Sequence, residues 1–129
     1  MAEYGDQISY TMLAAADLSG VQYHIMRDTA SARQTNIASE AVNVGAIGVL
    51  QNKPAAANRA ATIAYAGTSK IVTGAAVTMG DLLTTNSSGR AITAGASGEM
   101  VVGRALQTSG ADGEVVTAVL YPPYKLAAS

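Results

Sequence analysis

The stretch Ile71-Val72-Thr73-Gly74-Ala75-Ala76-Val77-Thr78-Met79-Gly80-Asp81-Leu82-Leu83-Thr84-Thr85-Asn86-Ser87-Ser88-Gly89-Arg90-Ala91-Ile92 decides how the rest of the chain reads. Short β-branched or apolar runs alternate in it with turn residues: a run ending at Thr73, a Gly-Ala corner, Val77-Thr78, Met79-Gly80-Asp81, then Leu82 to Thr85. This is the pattern of a β-meander. Asn86 and Gly89 tolerate left-handed backbone angles that β-branched neighbours do not, so the chain reverses there and pairs Leu82–Thr85 against Arg90–Thr93. No side chain in the stretch offers evident catalytic chemistry.

Upstream, Ile8 to Tyr10 reads as a first edge strand, or as part of an arm over residues 1–10 lying on a neighbour. Thr11-Met12-Leu13 continues the strand pattern and Ala14 to Leu18 reads as a loop. Val21 to Met26 alternates as a half-buried strand. Thr29 to Ala41 reads as a surface loop with a brief strand near Ile37. Val42-Asn43-Val44 alternates again. Ala46 to Gln51 is an apolar run whose internal Gly48 marks a bulge or a close backbone approach. Ala55 to Ala61 is too short to hold a helix unaided and makes at most one helical turn. Thr62 to Ala66 resumes the strand signal and Gly67-Thr68-Ser69 turns.

Downstream, Ala94 to Gly98 is a loop, Met100 to Leu106 a strand with Gly103 inside it, Ser109 to Gly113 a turn, and Val115 to Leu120 a closing strand. The pairing of Ile47–Gln51 with Thr62–Ala64 is echoed by Val102–Gln107 with Thr117–Val119. Each unit sets a glycine-bearing strand beside a Thr-led one. In Tyr121-Pro122-Pro123-Tyr124 two prolines lack the donor that a central strand needs, so the tail 121–129 reads as a stiff contact arm or as a strand end packed on its own domain.

A chain of 129 residues accommodates one domain with a self-standing core. The hydrophobic content is 49%, yet Phe, Trp and Cys are absent, so burial rests on Ala, Val, Ile and Leu, each of modest individual value. Stability therefore leans on an oligomer or on a surface to sit upon. A formal net charge of −1 without a basic cluster lacks the footprint of a nucleic-acid binder. The absence of cysteine excludes disulfides and thiolate metal sites. No apolar run reaches the ~18–20 residues of a membrane helix, and no leader pattern opens the chain.

His24 is the single histidine, which rules out multi-histidine metal sites within one chain; it reads as a sheet-surface residue. No nucleophile-elbow pattern accompanies it. The acidic residues are dispersed, and Asp112-Gly113-Glu114 is a turn rather than a calcium loop. Gly45 to Gly48 is followed by no Lys-Ser/Thr and no helix, so it is not a phosphate loop. Arg90 and Arg104 pair with Asp81 or Glu114, or face a partner. Neither catalytic residues nor a cofactor or metal site is expected.

The succession Gly48-Val49-Leu50-Gln51-Asn52-Lys53-Pro54, Ser69 to Val72, Gly74 to Asp81, Thr84 to Ala91, Val102-Gly103-Arg104-Ala105-Leu106 and Ala111-Asp112-Gly113-Glu114 resembles the capsid decoration, or cement, proteins of tailed bacteriophages. The likeness covers about residues 45–120. It implies a compact all-β fold, a small β-sandwich or barrel-like (β-tulip-like) domain over 11–120 with an extended N-terminal arm and loops. It further implies a virion protein on the outer surface of the head, often a homotrimer, bridging adjacent major capsid protein subunits. Related domains serve as head-fibre bases. On this reading the partner contacts come from Tyr4, Ile8, Tyr10, Arg33, Asn36, Tyr121, Pro122, Pro123 and Tyr124, with neither nucleic acid nor membrane as partner. A host-glycan adhesin using exposed Tyr and Asn, and an enzyme using His24 as base, are the rival readings.

Overall fold

The computed structural model describes residues 7–39 and 45–127; Tyr4 and the Val42-Asn43-Val44 alternation lie outside them. Among the described residues the elements are all strands: β1 (Ile8–Ala14), β2 (Ile25–Asp28), β3 (Gln34–Ile37), β4 (Ala46–Leu50), β5 (Ala60–Val72), β6 (Leu82–Thr85), β7 (Ala91–Thr93), β8 (Met100–Ala105) and β9 (Val115–Lys125). The order β1-β3-β2-β4-β5 closes on itself through β1–β5 pairing, which makes a five-stranded barrel. The remaining order, β9-β8-β6-β7, continues from β5 as a second sheet.

β5 joins the two halves. Its first part pairs with β1 (Tyr10↔Ile63) and β4 (Val49↔Ala64), and its second part, from Gly67↔Leu120 to Val72↔Val115, pairs with β9. The Gly67-Thr68-Ser69 turn expected from sequence is absent, because the strand runs through it and exchanges partners there. Gly67 has φ +89°, a backbone angle that relieves the strain of bending at the exchange point.

Adjacent residues in β2, β4 and β5 point to opposite faces, and both faces are buried. Met26, Leu50 and Ile63 fill the barrel with Ala14, Leu18 and Ala61, while their neighbours Ile25, Val49 and Ala64 join Ile71, Leu83, Val102, Ala105, Val116, Ala118 and Leu120 between barrel and second sheet. A barrel of five strands is too narrow for large rings, which accounts for a core of Ala, Val, Ile, Leu and Met.

The hairpin is where sequence placed it: Leu83↔Thr93, Thr84↔Ile92 and Thr85↔Ala91 pair across Asn86–Arg90. Gly89 adopts φ +75°. Asn86 instead works through its side chain, whose Oδ1 accepts from Ser88 N–H (2.9 Å) and Arg90 N–H (3.0 Å). The wider meander does not form, because β6 has β8 as its other neighbour, not β5. The strand expected over Val21–Met26 begins at Ile25, since Tyr23 turns with φ +67° and His24 N–H bonds Val21 C=O. Residues 56–59 form a turn with Asn58 at φ +70°, not a helical turn.

Both echoed units are antiparallel pairs, β4 with β5 and β8 with β9. A Cβ on Gly48 would strike Ala64 C=O and one on Gly103 would strike Val119 C=O. The shared glycines thus permit the same close backbone approach twice.

Candidate functional site

Strand directions and register place the candidate contact residues. β1 runs parallel to β3, β3 antiparallel to β2, β2 antiparallel to β4 and β4 antiparallel to β5. The starts of β1 and β4 and the end of β2 therefore share one end of the barrel, whereas β3 starts beside the end of β1 (Leu13↔Gln34). At that end Tyr10 stacks on Tyr65 with ring centroids 5.1 Å apart and tilted by 30°. Its hydroxyl donates across to Ile47 C=O at 3.3 Å. Partial burial, then Tyr65 and Asp28 nearby, push the Tyr10 phenol above its ordinary value, so it stays a donor.

Ile8 is 52% and Tyr10 42% exposed, and Leu13 on the other face of β1 is also exposed. Arg33, at φ +58°, sits just before β3; its Nη2 donates to Thr11 C=O at 3.3 Å. Ile8 and Tyr10 thus stand exposed toward the start of β1, and Arg33 lies farther along it, against Thr11 and Leu13. Asn36 does not join it: it lies within β3 opposite Arg27, half-buried, its Oδ1 accepting from Ile37 N–H.

Tyr121, Pro122, Pro123 and Tyr124 belong to β9 and continue the strand where it has left β5. There, among the described residues, β9 pairs with β8 alone (Val101↔Tyr124, Met100↔Lys125), with a bulge between Val101 and Gly103. The prolines are tolerated because no described residue forms a second ladder on that edge. Tyr121 accepts from Arg104 Nε at 3.0 Å, which helps to hold the Arg104 charge above its ordinary pKa. Arg104 and Arg90 do not meet Asp81 or Glu114; Arg104 Nη1 donates to Gly80 C=O and Arg90 pairs with Asp112 at 2.8 Å. Sequence reading missed Leu13, Tyr65, Met79 and Leu106 as surface-forming residues. The signal for Met79 was present, an apolar residue at a Thr-x-Gly-Asp turn tip.

His24 is buried, not on a sheet surface. Its Nδ1 lies 3.2 Å from Gln22 C=O and its Nε2 3.4 Å from Arg90 Nε, so a proton on Nδ1 satisfies both contacts. Among the described residues neither a serine nor a carboxylate is bonded to the ring. No group of three or more His, Asp or Glu able to hold a metal occurs among the described residues, and no helix there is long and apolar enough to cross a membrane.

A search of curated proteins finds no match. Among solved structures the chain is similar to the head fiber gp8.5 N base of bacteriophage phi29, with a TM-score of 0.65 at 20% identity, covering 95% of this chain and 99% of that one. At that identity the likeness is one of fold. The family model for phage cement proteins matches residues 3–120. A match over nearly the whole chain places this protein in the phage cement family, whose members are structural, capsid-associated components of the virion.

Proposed function

We propose that the protein is a capsid decoration protein that binds the outer surface of the phage head as a homotrimer and bridges adjacent major capsid protein subunits, stabilising the mature shell. The observation that carries this reading is the outer surface of β1, where Ile8 and Tyr10 stand 52% and 42% exposed and Arg33 lies farther along the strand, bonded to Thr11 C=O. Removing an Ile or Tyr of that kind from water is worth roughly 1.5–3 kcal/mol when burial is complete. Binding only the assembled lattice stabilises it by mass action.

The test uses purified heads lacking the protein. Wild-type protein is expected to co-sediment with them and to raise their melting temperature, while Ile8→Asp and Arg33→Glu lower occupancy. Deleting residues 1–10 is a poorer test, because Ser9 and Tyr10 pair with Ala64 and Ile63 and their loss would open the barrel. Occupancy unchanged in both point variants counts against the reading. The fold likeness over 95% of the chain favours one alternative, a head-fibre base. It predicts protein at fibre attachment points in virion images instead of a regular coat.

A further inference from the structure

The loop before β9 contains a reactive peptide bond. Asp112-Gly113 is the one place in the sequence where glycine follows an aspartate, and none follows an asparagine. With no Cβ on the glycine, nothing shields its nitrogen from the carboxyl carbon of the residue before it. An aspartate so placed can close a five-membered imide on the next nitrogen. Residues 110–114 are all exposed, so water reaches the pair.

The folded chain engages both groups that would react. Asp112 Oδ1 accepts from Arg90 Nη1 at 2.8 Å, and Gly113 N–H donates to Thr73 C=O at 2.7 Å. The same Arg90 nitrogen lies 3.8 Å from the position a Cβ on Gly113 would take, so the guanidinium stands over the glycine as well. Buried Thr73 fixes the loop from below. Its N–H donates to Glu114 C=O (2.8 Å) and its hydroxyl to Ala111 C=O (3.1 Å) and Glu114 C=O (3.2 Å). Glu114 Oε1 accepts from Gly110 N–H at 2.9 Å and closes the loop on itself.

We propose that Asp112-Gly113 is a self-modification site, where aspartate converts to isoaspartate when the loop 109–114 opens and where Arg90 and Thr73 hold the loop shut. In the open loop the Gly113 nitrogen gives its proton to water and attacks Asp112 Cγ. A C–N bond forms and one carboxyl oxygen leaves as water. A second water then reopens the imide at Cγ, restoring aspartate, or at the main-chain carbonyl, giving isoaspartate. Water is the sole co-reactant and the mass is unchanged. Isoaspartate lengthens the main chain by one carbon and shortens the carboxylate arm by one, so Arg90 loses its partner and Gly113 its register under Thr73. The tie between the β6–β7 turn and this loop is thereby cut. A virion component is not replaced after assembly, so a slow change of this kind accumulates in it.

The test follows isoaspartate by peptide mass spectrometry with separation of the two isomers, in wild-type, Arg90→Gln and Thr73→Ala proteins warmed at neutral pH, folded and in urea. Melting curves confirm that each folded sample stays folded. Isoaspartate is expected at residue 112 and not at Asp17, Asp28 or Asp81, each of which precedes a larger residue. Folded wild type is expected to convert at least about tenfold more slowly than the urea-unfolded chain, because reaction is confined to the opened fraction. Arg90→Gln should speed the folded reaction about two- to fivefold, as the loss of an exposed ion pair allows. Thr73→Ala, which removes two bonds to the loop, should speed it on the order of tenfold. In urea all three should convert alike, which separates an opened loop from altered chemistry. Folded rates in both variants equal to that of wild type would overturn the roles of Arg90 and Thr73. Absence of isoaspartate at residue 112 even in urea would remove the site itself. Neither readout involves phage heads, so the capsid-binding reading stands or falls separately.

Discussion

Arg90 Nε lies 3.4 Å from His24 Nε2, so the turn between β6 and β7 is bonded to the segment that leads into β2. The same turn offers Gly89 C=O to Ile25 N–H at 2.7 Å, and Arg90 Nη1 holds Asp112 on the loop before β9. One short hairpin thereby fastens the second sheet onto the barrel. The Arg90–Asp112 pair is half-exposed and worth little on its own, about 0–1 kcal/mol. Its value is in aiming Arg90 at a buried imidazole.

Stability should fall on mild acidification through His24. Burial, and then the neighbouring Arg90 charge, hold the His24 pKa below its ordinary value, outweighing the Gln22 carbonyl that favours the protonated ring. The unfolded chain therefore takes up a proton near pH 6.5 while the folded chain does not. The contribution is complete above that pH and is lost as pH drops below it, until the folded pKa is passed. Melting temperature measured by circular dichroism is expected to be flat from about pH 8 to 7 and to decline from about pH 6.5 to 5. His24→Gln is expected to flatten that decline; an identical slope in the variant would assign it to other groups.

Gly48→Ala and Gly103→Ala should each destabilise the protein. The added methyl meets backbone oxygen, Ala64 C=O or Val119 C=O, which cannot rotate away. Gly48 also has φ +145°. A loss of about 1–3 kcal/mol is expected at each, larger at Gly48, read from urea unfolding at constant m-value. Wild-type midpoints would show that the strands can move apart freely.

Leu50→Ala probes the barrel and Leu83→Ala the layer between barrel and second sheet. Both side chains are fully buried, in separate clusters. Each truncation is expected to cost about 2–5 kcal/mol. A single coincident unfolding transition in both variants, by circular dichroism and by tyrosine fluorescence, would mark the two layers as one cooperative unit. Two separated transitions in either would contradict it.

Replacing Pro122 and Pro123 with valine should promote self-association. Past Leu120, β9 keeps β8 as its neighbour and has no pairing with β5. Prolines on an edge remove donors that another chain could use. Sedimentation velocity is expected to show concentration-dependent oligomers of the double variant above those of wild type, with an unchanged melting temperature. Equal sedimentation would mean that the edge is covered by something other than the prolines.

Much of the local structure was legible. The Asn86–Gly89 reversal, the close backbone approach at Gly48, the strand from Ile8 and the glycine-bearing strand pairs all follow from residue types within a few positions of one another. The surroundings of the candidate contact residues were less legible: Arg33 bonds Thr11 of β1, Asn36 is spent inside β3 and Tyr121 is engaged by Arg104. Sequence spacing carries no information about which strand lies beside β1, so Arg33 could be assigned to a loop but not to its place against Thr11. His24 was misplaced for the same reason. Its burial depends on Arg90 and on the hairpin, sixty-six residues away.

By itself the sequence determined that this chain is built of strands with small apolar interiors, because alternation and turn chemistry are local properties of the backbone and its side chains. Only the tertiary structure decided that β5 serves two sheets, that β1 closes a barrel, and which exposed residues share a face. Those outcomes come from pairing between distant segments, where register and the burial of both strand faces are settled by the partner and not by the strand's own residues.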